Sequence, residues 1–299
     1  MQERKVCVVS GSSSGIGAAT VRRYAREGWD VVINYSRNSE LAEAVALECR
    51  ALGAHGGNPG GNHADGHAGG HAGGHAGGHA GGHAGGQGSD NTGNHAGSQA
   101  LVVRANVADD ADCRRLAAEV EARFGRIDVL VNNAGTTKFV AMKNLEGLSA
   151  EDFQAIYAVN VIGAYQLTRA FAPLLQAAPG GAIVNISSVA SMMGRGSSLA
   201  YMASKGALNA LTVGLARALG PTVRVNAIAP GFVETAWLMA GLGEARYAQQ
   251  ADLWRDTAAL AATIEPDDVA DAAWWLGAGA AKTTGEVLLV DAGFRLTKA

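Results

Sequence analysis

Tyr201 and Lys205, four residues apart, are the side chains in this sequence best suited to handling a proton. On a helix that spacing puts both on one face. A free phenol, with a pKa of about 10, is a poor base near neutrality. A nearby ammonium favours the phenolate and lowers that value, which brings Tyr201 into range for acid–base work. Standing alone, the pair would read as an ordinary surface contact on a helix. A second group of residues points to an anion. Ser10-Gly11-Ser12-Ser13-Ser14-Gly15-Ile16-Gly17 follows an apolar run and leads into a helical pattern. Glycines there let the backbone turn tightly and approach a pyrophosphate, while the helix start offers unpaired N–H groups and a positive dipole end. Arg37 stands about 20 residues further on, where a site for NAD would carry an acid, and no acid lies between Val31 and Ser39. A guanidinium pairs with a 2′-phosphate that a carboxylate would repel, so NADP(H) is the expected cofactor. The plain alternative is a solvated loop charge of little energetic weight.

Strand-like and helix-like runs alternate to carry these residues. Strands are expected at 5–10, 31–34, 101–105, 129–132, 182–187, 223–229 and 287–290, and helices at 16–27, 39–52, 109–124, 200–219 and 267–276. The strands are continuous apolar runs rather than alternating ones, the mark of a parallel sheet covered on both faces. Alternation of the two kinds implies an α/β fold with a doubly wound parallel sheet. Ile183, Val225 and Leu288 read as core strand residues. Hydrophobic residues make up 48% of the chain and charged ones 17%, enough for a sizeable core. A net charge of −3 argues against a nucleic acid or an anionic membrane as partner. Cys7, Cys49 and Cys113 lack C-x-x-C spacing and read as buried small hydrophobes in a reducing compartment. The first apolar run starts too early for a leader peptide, and no run approaches the roughly 18 apolar residues of a spanning helix. A soluble, cytoplasmic protein is expected.

One segment breaks the pattern. Residues 55–98 contain no large apolar side chain and hold all eight histidines, with His-Ala-Gly-Gly repeated in tandem from His67 to Gly86. Such a stretch cannot offset the entropy of ordering its backbone, so a disordered Gly/His-rich insertion loop is expected. Loops that lead from a helix into a strand lie at the N-terminal ends of strands, away from the cofactor crevice. A tolerated loop is the simplest reading of the segment. A weak metal-binding tract and a docking surface for another protein are the alternatives. Without it about 255 residues remain, a size that one domain holds, so 1–299 is read as a single domain.

Further motifs occur in an order that resembles the short-chain dehydrogenase/reductase family: Asn132-Asn133-Ala134-Gly135 after the fourth strand, Asn160 in a helical stretch, Ser188 after the fifth strand, Tyr201 with Lys205, and Pro230-Gly231. The resemblance covers the chain apart from residues 55–98. It implies a Rossmann-type fold and an oxidoreductase that exchanges a ketone and a secondary alcohol by hydride transfer. It also implies a catalytic set of Asn160, Ser188, Tyr201 and Lys205, with no metal. Ser188 would hydrogen-bond the substrate oxygen (Ser187 being its neighbour and rival), Lys205 would hold the nicotinamide ribose, and Asn160 would support a water relay to the lysine. The expected cofactor contacts are Gly11, Ser13, Ser14, Gly15, Ile16, Gly17 and Arg37, Asn106 and Val107 flanking the adenine, Asn133, Ala134 and Gly135, Tyr201 and Lys205, and Pro230, Gly231, Val233 and Thr235 over the nicotinamide. Ser13 stands where NADP-preferring members often carry a basic residue, which keeps NAD(H) open as well.

The pattern is similar to 3-oxoacyl-thioester reductases, yet 176–182 and the Gly220-Pro221 turn lack the arginines that carrier-protein reductases tend to show. Residues 236–263 are expected to form a lid lobe whose apolar side chains mostly pack against the body. Family likeness also suggests a homotetramer or homodimer acting on a small-molecule carbonyl or alcohol. The rival readings are an NAD-dependent alcohol or sugar dehydrogenase, a non-catalytic nucleotide-binding protein, and a metal-binding protein on the same scaffold.

Overall fold

Valine and isoleucine dominate the strands, and the sheet buries them on both sides. The computed structural model describes residues 4–55 and 98–296. The strands are β1 (Val6–Val9), β2 (Asp30–Tyr35), β3 (Ala100–Arg104), β4 (Val129–Asn132), β5 (Gly181–Ile186), β6 (Val223–Pro230) and β7 (Val287–Val290). All pair in parallel, in the order β3-β2-β1-β4-β5-β6-β7. The helices are α1 (Gly15–Arg26), α2 (Ser39–His55), α3 (Asp110–Phe124), α4 (Ala150–Tyr157), α5 (Ala164–Ala177), α6 (Ala190–Met193), α7 (Leu199–Leu219), α8 (Ala236–Leu242), α9 (Glu244–Thr257) and α10 (Pro266–Trp274).

Because side chains alternate across a strand, each run of apolar residues feeds two cores. Cys7, Val9, Val31 and Val131 pack with Val21 and Tyr24 of α1, Val45 of α2 and Val269 of α10. Val6, Val8, Val32 and Leu130 pack on the other face with Leu116 of α3, Phe171 of α5 and Leu215 of α7. Each fully buried side chain of this size contributes about 1.5–3 kcal/mol. Cys7, Cys49 and Cys113 are free and buried in these cores, as expected. Burial pushes the thiols of Cys49 and Cys113 up to about 12, which leaves them inert as nucleophiles.

The expected doubly wound sheet is present, with element ends moved by a residue or two. Asp109 caps α3 rather than starting it, accepting from the N–H of Ala111 (2.8 Å), and Gly125 ends that helix at φ +68°. The helical stretch around Asn160 is not one regular helix. Between α4 and α5 the residues Ala158–Gly163 form a π-helical turn. Gly163 packs there against Val107, so closely that a Cβ would lie 2.8 Å from its side chain.

Most of the Gly/His-rich insertion, residues 56–97, lies outside the described residues, as do the readings made for it. Its two ends are described. His55 closes α2, and Ser98, expected within the loop, is 3% exposed and donates to the carbonyl of Ala25 (3.4 Å). Gly53 lies against Ser98, so the chain leaves and re-enters at one place beside the start of β3. That is the end of the sheet away from the C-terminal crevice, in line with expectation. No described helix is long and apolar enough to cross a membrane.

Candidate active site

At the C-terminal edge of the sheet, the strand order reverses between β1 and β4, the place where open α/β sheets form a ligand crevice. The glycine-rich turn sits there, strapped down by its neighbours. Gly11 adopts φ +62° and donates to Asn34 Oδ1 (3.1 Å), while Ser12 Oγ donates to Val9 O (2.8 Å). Asn34 also reaches β3, donating to Ala105 O (3.0 Å). Gly17 lets the helix start pass under the turn, since a Cβ there would meet Asn133 Nδ2 at 2.5 Å and Gly11 O at 2.6 Å. Ser14 occupies the N-cap of α1 with its side chain uncommitted, and the first turn carries no acid. Those free N–H groups and the dipole suit a diphosphate. Half-buried Ser13, Gly15 and Ile16 complete the turn, and Thr235 lies within van der Waals reach of Gly15.

Asn133 has another task than the expected ribose contact. Its amide donates to the carbonyls of Ser10 and Gly11 (2.9 Å each), and its own N–H and that of Ala134 donate to Ser10 Oγ (3.0 Å each). The Asn-Asn-Ala-Gly turn therefore acts as a clamp on the phosphate loop, with Ala134 and Gly135 at the open side. Ser10 and Asn34 were missed by sequence reasoning. Their signal was a polar residue directly before Gly11 and another inside an apolar strand.

The expected catalytic residues converge. Ser198 caps α7, accepting from the N–H of Tyr201 (3.2 Å), and this fixes Tyr201 in the first turn. The Ser188 side chain faces the Tyr201 hydroxyl closely enough to favour its ionised form. Lys205, 4% exposed, donates to Ile186 O (2.7 Å), and its Nζ lies 5.6 Å from the Tyr201 ring centre. Gly135 adjoins it; a Cβ there would sit 3.7 Å from that Nζ. The buried Asn160 accepts from Thr136 N (2.8 Å), donates to Thr136 O (3.0 Å) and donates to Ser204 Oγ (2.9 Å). Ser204 in turn donates to the carbonyl of Tyr201 (2.7 Å). Burial of Lys205 rules out an ordinary surface pair, while Asn160 is a buried polar residue whose hydrogen bonds are all made within the protein. Ser187 is spent on Asn209 (2.6 Å) and Lys205 O (3.3 Å), which leaves Ser188 as the serine facing the phenol.

The electrostatics differ from expectation in one respect. Burial is the main influence on Tyr201 and pushes its pKa up, and the Ser188 side chain opposes this only in part. The same desolvation drives Lys205 down to about 8. The lysine thus holds its charge weakly, and in the cofactor-free molecule it does not produce the lowered phenol expected from the spacing. At neutral pH Tyr201 is a protonated acid.

The remaining expected contacts are spread around this centre. Arg37 is exposed beyond the end of β2 and forms no ion pair among the described residues. Asn106 is exposed, while Val107 is 5% exposed and packed beneath it in the core. Pro230 O accepts from Val189 N (3.0 Å), Gly231 lies against the Trp254 ring, and Val233 pairs with Ile264. Of these three, Gly231 touches the segment 236–263 through Trp254 of α9, whereas Pro230 is tied to the start of α6 and Val233 to Ile264 ahead of α10. Within 236–263, Trp254 stacks on Phe294 (3.7 Å) and packs with Phe232 and Tyr247, whereas Trp237 stays 48% exposed. The apolar side chains of this segment are therefore divided between packing and the surface. Among the described residues, no cluster of metal-ligating side chains occurs.

A nucleotide-binding α/β oxidoreductase is the class that this crevice, with a half-buried Tyr201 beside a buried Lys205, defines. Residues 5–57 match a family model described as short chain dehydrogenase, and residues 85–295 match one described as enoyl-(acyl carrier protein) reductase. The chain belongs to the short-chain dehydrogenase/reductase family and is an enzyme of that family. It is 37% identical, over 98% of its length and 97% of the relative's, to a protein of Streptomyces violaceoruber provisionally named as ketoacyl reductase 2 of the granaticin polyketide synthase. It is 32% identical to a 3-oxoacyl-[acyl-carrier-protein] reductase of Synechocystis, over 77% of this chain and 75% of that one. Among solved structures, a gluconate 5-dehydrogenase from Burkholderia cenocepacia in complex with NADP and tartrate superposes with a TM-score of 0.75 at 27% identity, covering 99% and 97% of the two chains.

Proposed function

We propose that the protein is an NADP(H)-dependent reductase that interconverts a ketone and a secondary alcohol, with Tyr201 as the group that gives and takes the proton. The observation that carries this reading is the convergence on one spot of Tyr201, the side chain of Ser188, which eases ionisation of the phenol, and the buried amine of Lys205, 5.6 Å from the tyrosine ring centre. Two adjacent O–H groups make a ready pair of donors for a carbonyl oxygen as it becomes an alkoxide. Tyr201, kept protonated by burial, then completes the alcohol. Lys205 orients the site from below and holds the cofactor ribose, and Asn160, locked between Thr136 and Ser204, fixes the π-turn beside it. When bound, the dinucleotide supplies or accepts the hydride.

The donor set fits that dinucleotide. Gly11, Ser13, Ser14, Gly15, Ile16 and Gly17 would cradle the diphosphate, Asn106 and Val107 would flank the adenine, and Ala134 and Gly135 would edge the ribose, with Asn133 holding the turn. Pro230, Gly231, Val233 and Thr235 would shape the wall near the nicotinamide, with 236–263 as the lid of a single domain spanning 1–299. The relatives named as ketoacyl reductases support a ketone substrate, and a 3-oxoacyl thioester belongs to that class. Exposed Phe153, Ile162, Tyr165 and Val213 on the outer helices support assembly as a homotetramer or homodimer. Three buried free thiols support a cytoplasmic location.

Arg37 supplies the test of cofactor choice. Arg37→Asp removes a charge-assisted contact and adds repulsion, so kcat/KM for NADPH is expected to fall about 10- to 100-fold while that for NADH holds or rises. Monitoring nicotinamide oxidation with a panel of ketones and acyl thioesters reads both substrate class and cofactor. Equal losses with the two cofactors would sink the assignment to Arg37.

A further inference from the structure

Beside the catalytic phenol a cavity of about 200 Å³ opens under the lid. Phe139 and Met142 of the segment after β4, Gly196 before α7, and Leu242 at the end of α8 form its largely apolar wall. Gly196 connects it to the chemistry, because a Cβ at that residue would lie 3.8 Å from the Tyr201 ring. The lid is seated on the same wall, with Gly241 against the Phe139 ring and Trp237 at 5.7 Å from it.

Only two charged side chains line the cavity, Lys143 and Arg246, and both are cations. They arrive from separate elements, one from the segment after β4 and the other from the first turn of α9. Among the described residues neither forms an ion pair, whereas cations close to them in sequence do. Lys138 is held by Asp152 (2.7 Å), and Arg255 by Glu234 (2.8 Å) and Asp252 (3.2 Å). Two exposed cations, unpaired among the described residues, thus line one largely apolar cavity whose lining holds no acid, a setting for a ligand with an apolar body and a solvent-facing anionic end.

We propose that this cavity binds the far end of the substrate, and that the preferred ketones carry a carboxylate at the end of a short apolar chain, held by Lys143 and Arg246. The inference rests on the ketone reading above and narrows its substrate class. A cavity of this size holds roughly six or seven water-sized groups, which matches a chain of a few methylenes between carbonyl and anion.

The test compares 6-oxoheptanoate with its methyl ester, using the full chain and NADPH. The carboxylate is expected to be favoured by about tenfold or more in kcat/KM, and in the Lys143→Ala/Arg246→Ala double variant the ratio is expected to fall to about one. Equal rates for the two in the unsubstituted enzyme, or a preference that survives in the double variant, would overturn the proposal. Calorimetry with heptanoate, which has no ketone, reads the site without turnover. Heptanoate binding that disappears in the double variant supports the anion site, and absence of binding to the unsubstituted protein contradicts it. If neither ketone reacts while heptanoate still binds through these two residues, the ketone reading fails and the anion site stands.

Discussion

Tyr201→Phe is expected to lower kcat by about 10³-fold or more while NADPH still binds with nearly unchanged affinity. The change removes one oxygen and keeps the ring, so the packing around α7 and the Ser198 cap on the Tyr201 N–H are retained. Both the proton of the product alcohol and one of two donors to the developing alkoxide disappear together. Ser188 keeps its own O–H as a donor, which accounts for a small residual rate. Fluorescence titration of NADPH separates this outcome from misfolding, because the glycine-rich turn and the Asn133 turn that clamps it lie on other elements. A variant that turned over ketone at the original rate would leave Tyr201 as a bystander.

Lys205→Met is expected to damage activity to a similar degree but in a different way, weakening dinucleotide binding as well as kcat. It also carries an unusual expectation for stability. The folded-state pKa of Lys205 lies at about 8, below its value of about 10.4 in an unfolded chain. Below pH 8 the charged amine is buried at a cost that the unfolded state does not bear, so the unfolded chain binds the proton more tightly. That cost fades as pH rises from about 8 to about 10.4, and stability contributed by this site increases over the same window. Methionine fills a similar volume without the charge. At pH 7 the cofactor-free variant is therefore expected to be more stable by up to about 3 kcal/mol, reduced by about 1 for the hydrogen bond lost to Ile186. Denaturant unfolding of both proteins at pH 7 and at pH 10 checks this, with the difference shrinking at the higher pH. A variant less stable at pH 7 would show that the amine is well solvated or paired in the free protein.

Such a balance explains why the fold was more legible than the site. Continuous apolar runs specify a two-sided parallel sheet almost regardless of detail, and Val6–Val9 or Gly181–Ile186 could hardly be placed elsewhere. The convergence of Ser188, Tyr201 and Lys205 followed from their order on those elements. Side-chain direction did not. Asn133 faces the phosphate turn and is consumed there, although its position beside the crevice suggested a ligand contact. Spacing on a helix brought Lys205 near Tyr201 but carried no information on how dry their surroundings are, and desolvation decided the sign of the tyrosine shift. The π-turn at Asn160 likewise depends on contacts with Thr136, Ser204 and Val107, three segments remote in sequence. Ser98 marks a similar limit: its composition belongs to the glycine-rich insertion, but its burial against the end of α1 belongs to the sheet.

The pH dependence of kcat/KM measured in both directions on one ketone–alcohol couple tests the role of Tyr201 most directly. Reduction needs the phenol protonated and oxidation needs it ionised. Reduction should therefore fall, and oxidation rise, as pH increases through one shared midpoint on the alkaline side, and Tyr201→Phe should erase that ionisation from both profiles. Profiles that rise or fall together, or a midpoint that persists in the phenylalanine variant, would assign the proton to some other group.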